Sequence, residues 1–218
     1  MIFNIGKLYT TKDLNTPKQK MGSINRSKVN IAIVDDEEFI YIKELTKSGF
    51  TLHQYNDVPD LRSLDSFKVI ICDIKGVGKA FKSPFEGAYL IRELRKKYPF
   101  KILAAYTGST YDISINSYLD DVHVIKKDIT IDEWCTEIDY LIKKVSDPKE
   151  IWNKIRDILI KEDVPLLSLV KLEHEYVDII LNKNSDFHNF PSSSHDINLT
   201  QDVRSVIQSL VAGLILSI

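Results

Sequence analysis

Hydrophobic residues come in short uninterrupted runs at 31–34, 69–72 and 102–106, with a fourth run at 122–125 broken only by His123, and each run stops abruptly at a charged or hydroxyl residue. Runs of this length, rich in β-branched residues and without alternation, suit strands buried on both faces, as in a parallel sheet. A further strand-like segment covers 51–55. Between these runs the spacing becomes helical. Phe39, Ile42 and Leu45 mark a helix over 37–49; Leu90, Ile91 and Leu94 mark one over 88–98; Trp134, Ile138, Leu141, Ile142 and Val145 mark one over 131–145. One or two helical turns are predicted at 59–66 and a short, weak helix at 112–119. Strands alternating with helices imply right-handed crossovers and a parallel sheet covered on both faces. The expected domain is therefore a three-layer α/β unit over 29–147.

The flanking segments differ. Residues 1–28 carry six basic residues and one acid, with weak apolar periodicity. They read as a basic, mostly irregular arm, with 1–8 a candidate short strand. Its simplest role is a solubilising tail, the alternative being contact with an acidic partner or phosphates. Residues 148–218 predict three helices. Ile151, Ile155, Ile158 and Leu159 mark the first. Leu166, Leu169, Val170, Val177, Ile180 and Leu181 mark the second, opened by Pro165. Val203, Ile207, Leu210, Val211, Leu214, Ile215 and Ile218 mark the third, after a polar loop with Pro191 and Ser192, Ser193 and Ser194. About 70 residues is marginal for an independent core, so dimerisation or binding of a protein partner through this segment is expected. Glu173 falls within the apolar stripe of the second helix and is expected to face an interface cation or to mark a less regular helix. His174 beside it reads as a surface histidine.

Composition removes several alternatives. The 218 residues carry a net charge of −2. From 149 to 218 there are seven basic and ten acidic residues, so the helical segment lacks the basic face of a DNA-binding module. Cys72 and Cys135 are the only cysteines, which gives neither a zinc site nor a disulfide framework. His53, His123, His188 and His195 show no metal-ligand spacing. No signal peptide or transmembrane segment is read, and a cytoplasmic location is expected.

In open parallel sheets, sites form beyond the carboxyl ends of the strands. The runs end there in Asp35 and Asp36, in Asp73, in Thr107, and in Lys126 and Lys127. Three carboxylates brought together repel one another and favour a hard divalent cation such as Mg²⁺, which bridges carboxylate to phosphate. A carboxylate can act as nucleophile toward phosphorus, and a lysine and a threonine hydroxyl can hold the phosphoryl oxygens.

The segments Ile-Ala-Ile-Val-Asp-Asp-Glu-Glu at 31–38, Val-Ile-Ile-Cys-Asp at 69–73, Ala-Tyr-Thr-Gly at 105–108 and Val-Ile-Lys-Lys-Asp at 124–128 resemble, in order, the motifs of response-regulator receiver domains. The resemblance covers residues 29 to about 146, roughly half the chain. It implies a flavodoxin-like, doubly wound, five-stranded parallel sheet, with residues 148–218 as an atypical helical extension. It further implies that Asp73 is the phosphoacceptor, that Asp35, Asp36, Asp73 and the backbone carbonyl of Lys75 ligate Mg²⁺, and that Thr107 and Lys127 bind the phosphoryl group. Lys126 is the alternative to Lys127.

The implied function is that of a two-component response regulator. It would accept a phosphoryl group from a histidine kinase or phosphotransfer protein and act through protein–protein contact, as a homodimer or with another protein, rather than through DNA. On this reading it is no enzyme beyond its own phosphotransfer and dephosphorylation. The alternative is a receiver-fold interaction module that is no longer phosphorylated. A phosphohydrolase ranks third, because Ile74 and Lys75 follow Asp73 where a second acid is usual. The pattern departs from the family in three places: the loop 75–86 before Gly87 is long, Val124 or His123 stands where an aromatic residue is common, and Asp128 replaces a proline.

Overall fold

The expected apolar runs all pair into one sheet. The computed structural model describes residues 8–15, 26–108, 113–120, 122–182, 189–191 and 197–215. Strands β1 (Asn30–Val34), β2 (Thr51–Tyr55), β3 (Val69–Asp73), β4 (Ile102–Thr107) and β5 (His123–Lys126) form a parallel five-stranded sheet in the order β2-β1-β3-β4-β5. Both faces are buried because successive side chains leave each strand on opposite sides. Ala32, Val34, Ile70, Cys72, Leu103 and Ala105 line one core. Ile31, Ile33, Val69, Ile71, Ala104 and Tyr106 line the other. Helix α2 (Glu86–Lys97) covers the first face through Ala88, Leu90, Ile91 and Leu94. Helices α1 (Ile42–Lys47) and α3 (Ile131–Ser146) cover the second through Leu45 and through Trp134, Ile138, Leu141 and Ile142.

Helix α1 is shorter than the predicted 37–49. The Gln54 side chain accepts from the Phe39 N–H at 3.1 Å and donates to the Glu37 carbonyl at 2.6 Å. These bonds hold the segment after β1 outside helical geometry. The turns predicted at 59–66 are a 3-10 helix at Leu61–Leu64, capped by the Asp60 side chain on the Arg62 N–H at 2.9 Å. The weak helix predicted at 112–119 is also a 3-10 helix, Ile113–Tyr118; Asp112 lies outside the described residues. Two of the four crossovers thus carry a short 3-10 helix, and no α-helix among their described residues.

The chain divides into two compact units, residues 24–145 and residues 1–23 with 146–218. The second is built on α4 (Pro148–Lys161), α5 (Leu166–Asn182) and α6 (Gln201–Ile215). Asp147 caps α4 by accepting from the Lys149 N–H at 2.8 Å, and Pro148 opens the helix, where a missing N–H costs nothing. The core of this unit contains Trp152, Ile155, Leu172, Tyr176, Val177, Phe190, Ile207 and Val211. Trp152 stacks on Tyr176 with ring centres 5.3 Å apart, and the Tyr176 hydroxyl donates to the Pro148 carbonyl at 2.7 Å.

Chain residues 8–15 pack on α5 in this unit. Thr11 donates to the Glu173 carboxylate through its N–H at 2.8 Å and its hydroxyl at 3.0 Å. Tyr9 donates its N–H to His174 Nδ1 at 2.9 Å and stacks on the imidazole. Glu173 therefore meets backbone and hydroxyl donors from within a continuous α5, where an interface cation or a less regular helix was expected. His188, His195, Ser192–Ser194, Ile218 and the candidate strand residues 1–7 lie outside the described residues.

Candidate functional site

Sheet order brings the candidate residues to one edge. Asp35 follows β1, Asp73 ends β3, Thr107 ends β4 and Lys127 follows β5. Asp35, Asp73 and Thr107 are buried, while Asp36 is exposed. Asp35, Asp36 and Asp73 each present a carboxylate oxygen within 4.8 Å of the others.

Lys127 binds this cluster together. Its ammonium lies 2.6 Å from Asp73 Oδ2 and 3.5 Å from Asp35 Oδ2, and 4.9 Å from the centre of the Tyr106 ring. Its N–H donates to the Thr107 carbonyl at 2.9 Å, which ties the two strand ends. Lys126 is the exposed last residue of β5, in register with Thr107. The other Asp73 oxygen accepts from the Lys75 N–H at 3.3 Å. Lys75 itself is exposed.

The electrostatics follow from burial. Desolvation holds the Asp73 carboxyl above its ordinary range, against the opposing hydrogen bond and charge of Lys127 and with the help of Asp35. Burial works against the Lys127 ammonium, but the hydrogen bond to Asp73 and the charges of Asp73 and Asp35 outweigh it, so its pKa is raised. A buried carboxylate that is costly to ionise, beside other carboxylates, gains from added positive charge.

Two glycines make the arrangement possible. A methyl group on Gly87, at the start of α2, would fall on the Asp73 carbonyl oxygen. Only glycine lets the helix approach this closely. Gly76, at φ +73, lies against the Asp36 carboxylate in the space a side chain would fill.

Several contributors were not anticipated. The Tyr106 hydroxyl donates to Asp35 Oδ2, and Asp35 Oδ1 accepts from the Glu37 N–H at 3.0 Å. Burial, then the Asp35 contact, pushes the Tyr106 phenol far up, so it remains a donor. A tyrosine near the end of a buried strand needs a partner for its hydroxyl, but the sequence does not say which group that partner is. Tyr106 also packs with Trp134 and Phe39, ring centres 5.8 and 6.1 Å away. Lys79 pairs with Asp36 at 3.2 Å. Asp57, just beyond β2, accepts from Gly78 and Lys79. Loop residues have no periodicity from which these contacts follow. At the position where an aromatic residue is common, Val124 packs partly buried against the α2-side core, and His123 pairs with Glu137 at 2.5 Å.

The strand order β2-β1-β3-β4-β5 defines a flavodoxin-like doubly wound fold, the class that includes receiver domains. Extra helices α4–α6 follow it. No family model matches the chain, and no curated protein does. Among solved structures it is similar to the chemotaxis protein CheY4 of Vibrio cholerae, with 16% identity, 52% of this chain and 98% of that chain covered, and a TM-score of 0.42. It is similar to a response regulator from Thermotoga maritima, with 20% identity, 53% and 98% coverage and a TM-score of 0.43. A receiver domain protein from Clostridium thermocellum is 22% identical, with 53% and 95% coverage and a TM-score of 0.43.

The donor set fits a divalent cation. Three carboxylates converge, two of them buried, and hard oxygen ligands suit Mg²⁺. No helix of the described residues is long and apolar enough to cross a membrane.

Proposed function

We propose that the chain is a response regulator of two-component signalling, accepting a phosphoryl group on Asp73 from a histidine kinase or phosphotransfer protein. The observation that carries this reading is the Asp73–Lys127 pair at 2.6 Å inside the three-carboxylate cluster. On this reading Asp35, Asp36, Asp73 and the Lys75 carbonyl hold Mg²⁺, which supplies charge to neutralise the phosphoryl oxygens. An Asp73 carboxylate oxygen attacks phosphorus, an O–P bond forms, and the bond from phosphorus to the donor nitrogen breaks with its electron pair leaving on the donor. Lys127 then exchanges the Asp73 oxygen for a phosphoryl oxygen, and the Thr107 hydroxyl donates a hydrogen bond to another. The phosphoryl group stays on the protein until water removes it, so the chain is no enzyme beyond this self-directed chemistry.

Output through protein contact is part of the same reading. Helix α5 opens with Leu166, Leu167 and Val170 exposed, at 72%, 68% and 42%, a surface suited to a second copy or another protein. The lack of a basic helical face argues against DNA, and on this reading the protein works in the cytoplasm beside its donor. The second reading, an unphosphorylated interaction module, draws on one observation: protein groups already satisfy all three carboxylates, Tyr106 and Lys127 on Asp35, Lys79 on Asp36 and Lys127 on Asp73.

Incubation with Mg²⁺ and acetyl phosphate, read by intact mass, separates the two. A single adduct of about 80 Da that Asp73→Asn abolishes is expected for an aspartyl phosphoacceptor. No adduct, and no response to beryllofluoride, would establish the interaction module. Light scattering on the same samples reports whether the helical unit changes the assembly state.

A further inference from the structure

The segment joining β3 to α2 is clamped by two carboxylates from outside it. Asp57 accepts from the Gly78 N–H at 2.5 Å and from the Lys79 N–H at 3.3 Å. Glu86, the first residue of α2, accepts from the Gly76 N–H at 2.8 Å. The backbone turns through positive φ at Gly76, Gly78 and Lys82, and again at Glu86. A short 3-10 turn, Lys79–Phe81, sits on this clamp. The backbone of Lys79 is therefore fixed, and its ammonium lies 3.2 Å from Asp36 Oδ2.

Asp36 is the exposed member of the three-carboxylate cluster. Its charge is met by a cation carried on a tethered loop, at one of its two carboxylate oxygens. A carboxylate oxygen held by an ammonium must give up that contact before it can bind a metal with full charge. Most exposed ion pairs are worth little, because two long side chains must be ordered to make them. Here the Asp57 clamp has already ordered one end, and Gly76 keeps the loop backbone against the Asp36 carboxylate.

We infer that Lys79 is a built-in competitor of the divalent cation, so that metal binding at Asp36 displaces Lys79 and loosens the 76–82 loop. This rests on the reading of the acidic cluster as a metal site. The loop is then a second reporter of site occupancy, borders the phosphoacceptor, and sets how much metal the site needs. Lys79 acts by competition and touches no reacting atom.

The test uses the full chain and Mn²⁺, with free Mn²⁺ followed by electron paramagnetic resonance. Lys79→Met keeps the apolar stem and removes the charge. It is expected to tighten Mn²⁺ binding about two- to fivefold, the range of an exposed ion pair of up to about 1 kcal/mol. Lys82→Met removes an equal charge from the same loop and is expected to leave the affinity unchanged. Asp57→Asn, which loosens the clamp, is expected to tighten binding less than Lys79→Met and to add little to it, as coupled residues do. Hydrogen exchange supplies an independent readout: Mg²⁺ is expected to speed exchange at 79–82 in the wild type, and Lys79→Met to show that faster exchange without metal. Unchanged or weaker binding in Lys79→Met, or an equal gain in Lys82→Met, would overturn the inference. If Mn²⁺ binds and Asp36→Asn abolishes binding while Lys79→Met has no effect, this inference alone fails. If the wild type binds no more Mn²⁺ than Asp36→Asn, the metal-site reading fails and takes the inference with it.

Discussion

The sheet unit and the helical unit use polar groups in opposite ways. Among the described residues, the buried polar or charged side chains are Asp35, Asp73 and Thr107, all at one edge of the sheet unit. The described core of the helical unit is built of apolar and aromatic side chains, with the hydroxyl of Tyr176 hydrogen-bonded to Pro148. Several of its partly buried polar contacts join separate segments: Thr11 to Glu173, Tyr9 to His174, and Arg204 to the Pro191 carbonyl. Burying charge is costly unless it is paired. The sheet unit bears that cost where the acids converge, whereas the helical unit uses its polar groups to specify one packing arrangement. The contrast separates buried charge gathered at one sheet edge from polar groups that join segments of the helical unit.

The comparison breaks most readily at the helical core. Trp152→Ala is expected to cost about 3–5 kcal/mol and to unfold the helical unit in denaturant ahead of the sheet unit. Mn²⁺ affinity should persist; its loss would show that the units are not independent. Next in size is Gly87→Ala, which sets a methyl group against the Asp73 carbonyl. A loss of about 3 kcal/mol in chemical denaturation is expected, the upper range of overpacking, with weaker Mn²⁺ binding because Asp73 must move.

A smaller change probes the partner of one buried acid. Tyr106→Phe removes the hydroxyl donor to Asp35 and is expected to cost about 1.5–3 kcal/mol, as for a hydrogen bond to a charged group. Equilibrium unfolding in metal-free buffer measures it. The smallest effect has the opposite sign. Burial raises the folded-state pKa of Asp73 above its unfolded value. The protonated forms cost nothing below the unfolded pKa, so the penalty appears as pH rises through the folded pKa and is complete above it. Metal-free Asp73→Asn is therefore expected to melt above the wild type at neutral pH, the gain disappearing once the pH falls below the unfolded-state pKa of an aspartate. A lower melting temperature at neutral pH would show that the Lys127 pair outweighs burial.

Much of the sheet unit was legible in local pattern. The runs of β1, β3 and β4 became strands because a strand buried on both faces has few polar positions, β5 followed as a mixed edge strand, and the helices at 88–98 and 131–145 followed from their spacing. The short crossovers and shortened α1 were not legible, since they depend on Gln54 and Asp60 bonding to particular backbone groups. At the site, the placement of Asp35, Asp73, Thr107 and a lysine at 126 or 127 was readable because topology alone puts strand ends at one edge. Tyr106, Lys79 and Asp57 were not, because their roles depend on which atom each side chain reaches.

By itself, the sequence determined the strand runs, the parallel class they require and the collection of acids, hydroxyl and lysine at the strand ends, because strand periodicity and connection rules act over short stretches of chain. Only the tertiary structure decided that Lys127 rather than Lys126 reaches Asp73, that Tyr106 holds Asp35, that Lys79 lies on Asp36 and that residues near the N-terminus pack on α5. Those contacts join residues separated by dozens of positions or more, and they form only when backbone path, burial and close approach at Gly76 and Gly87 are satisfied together.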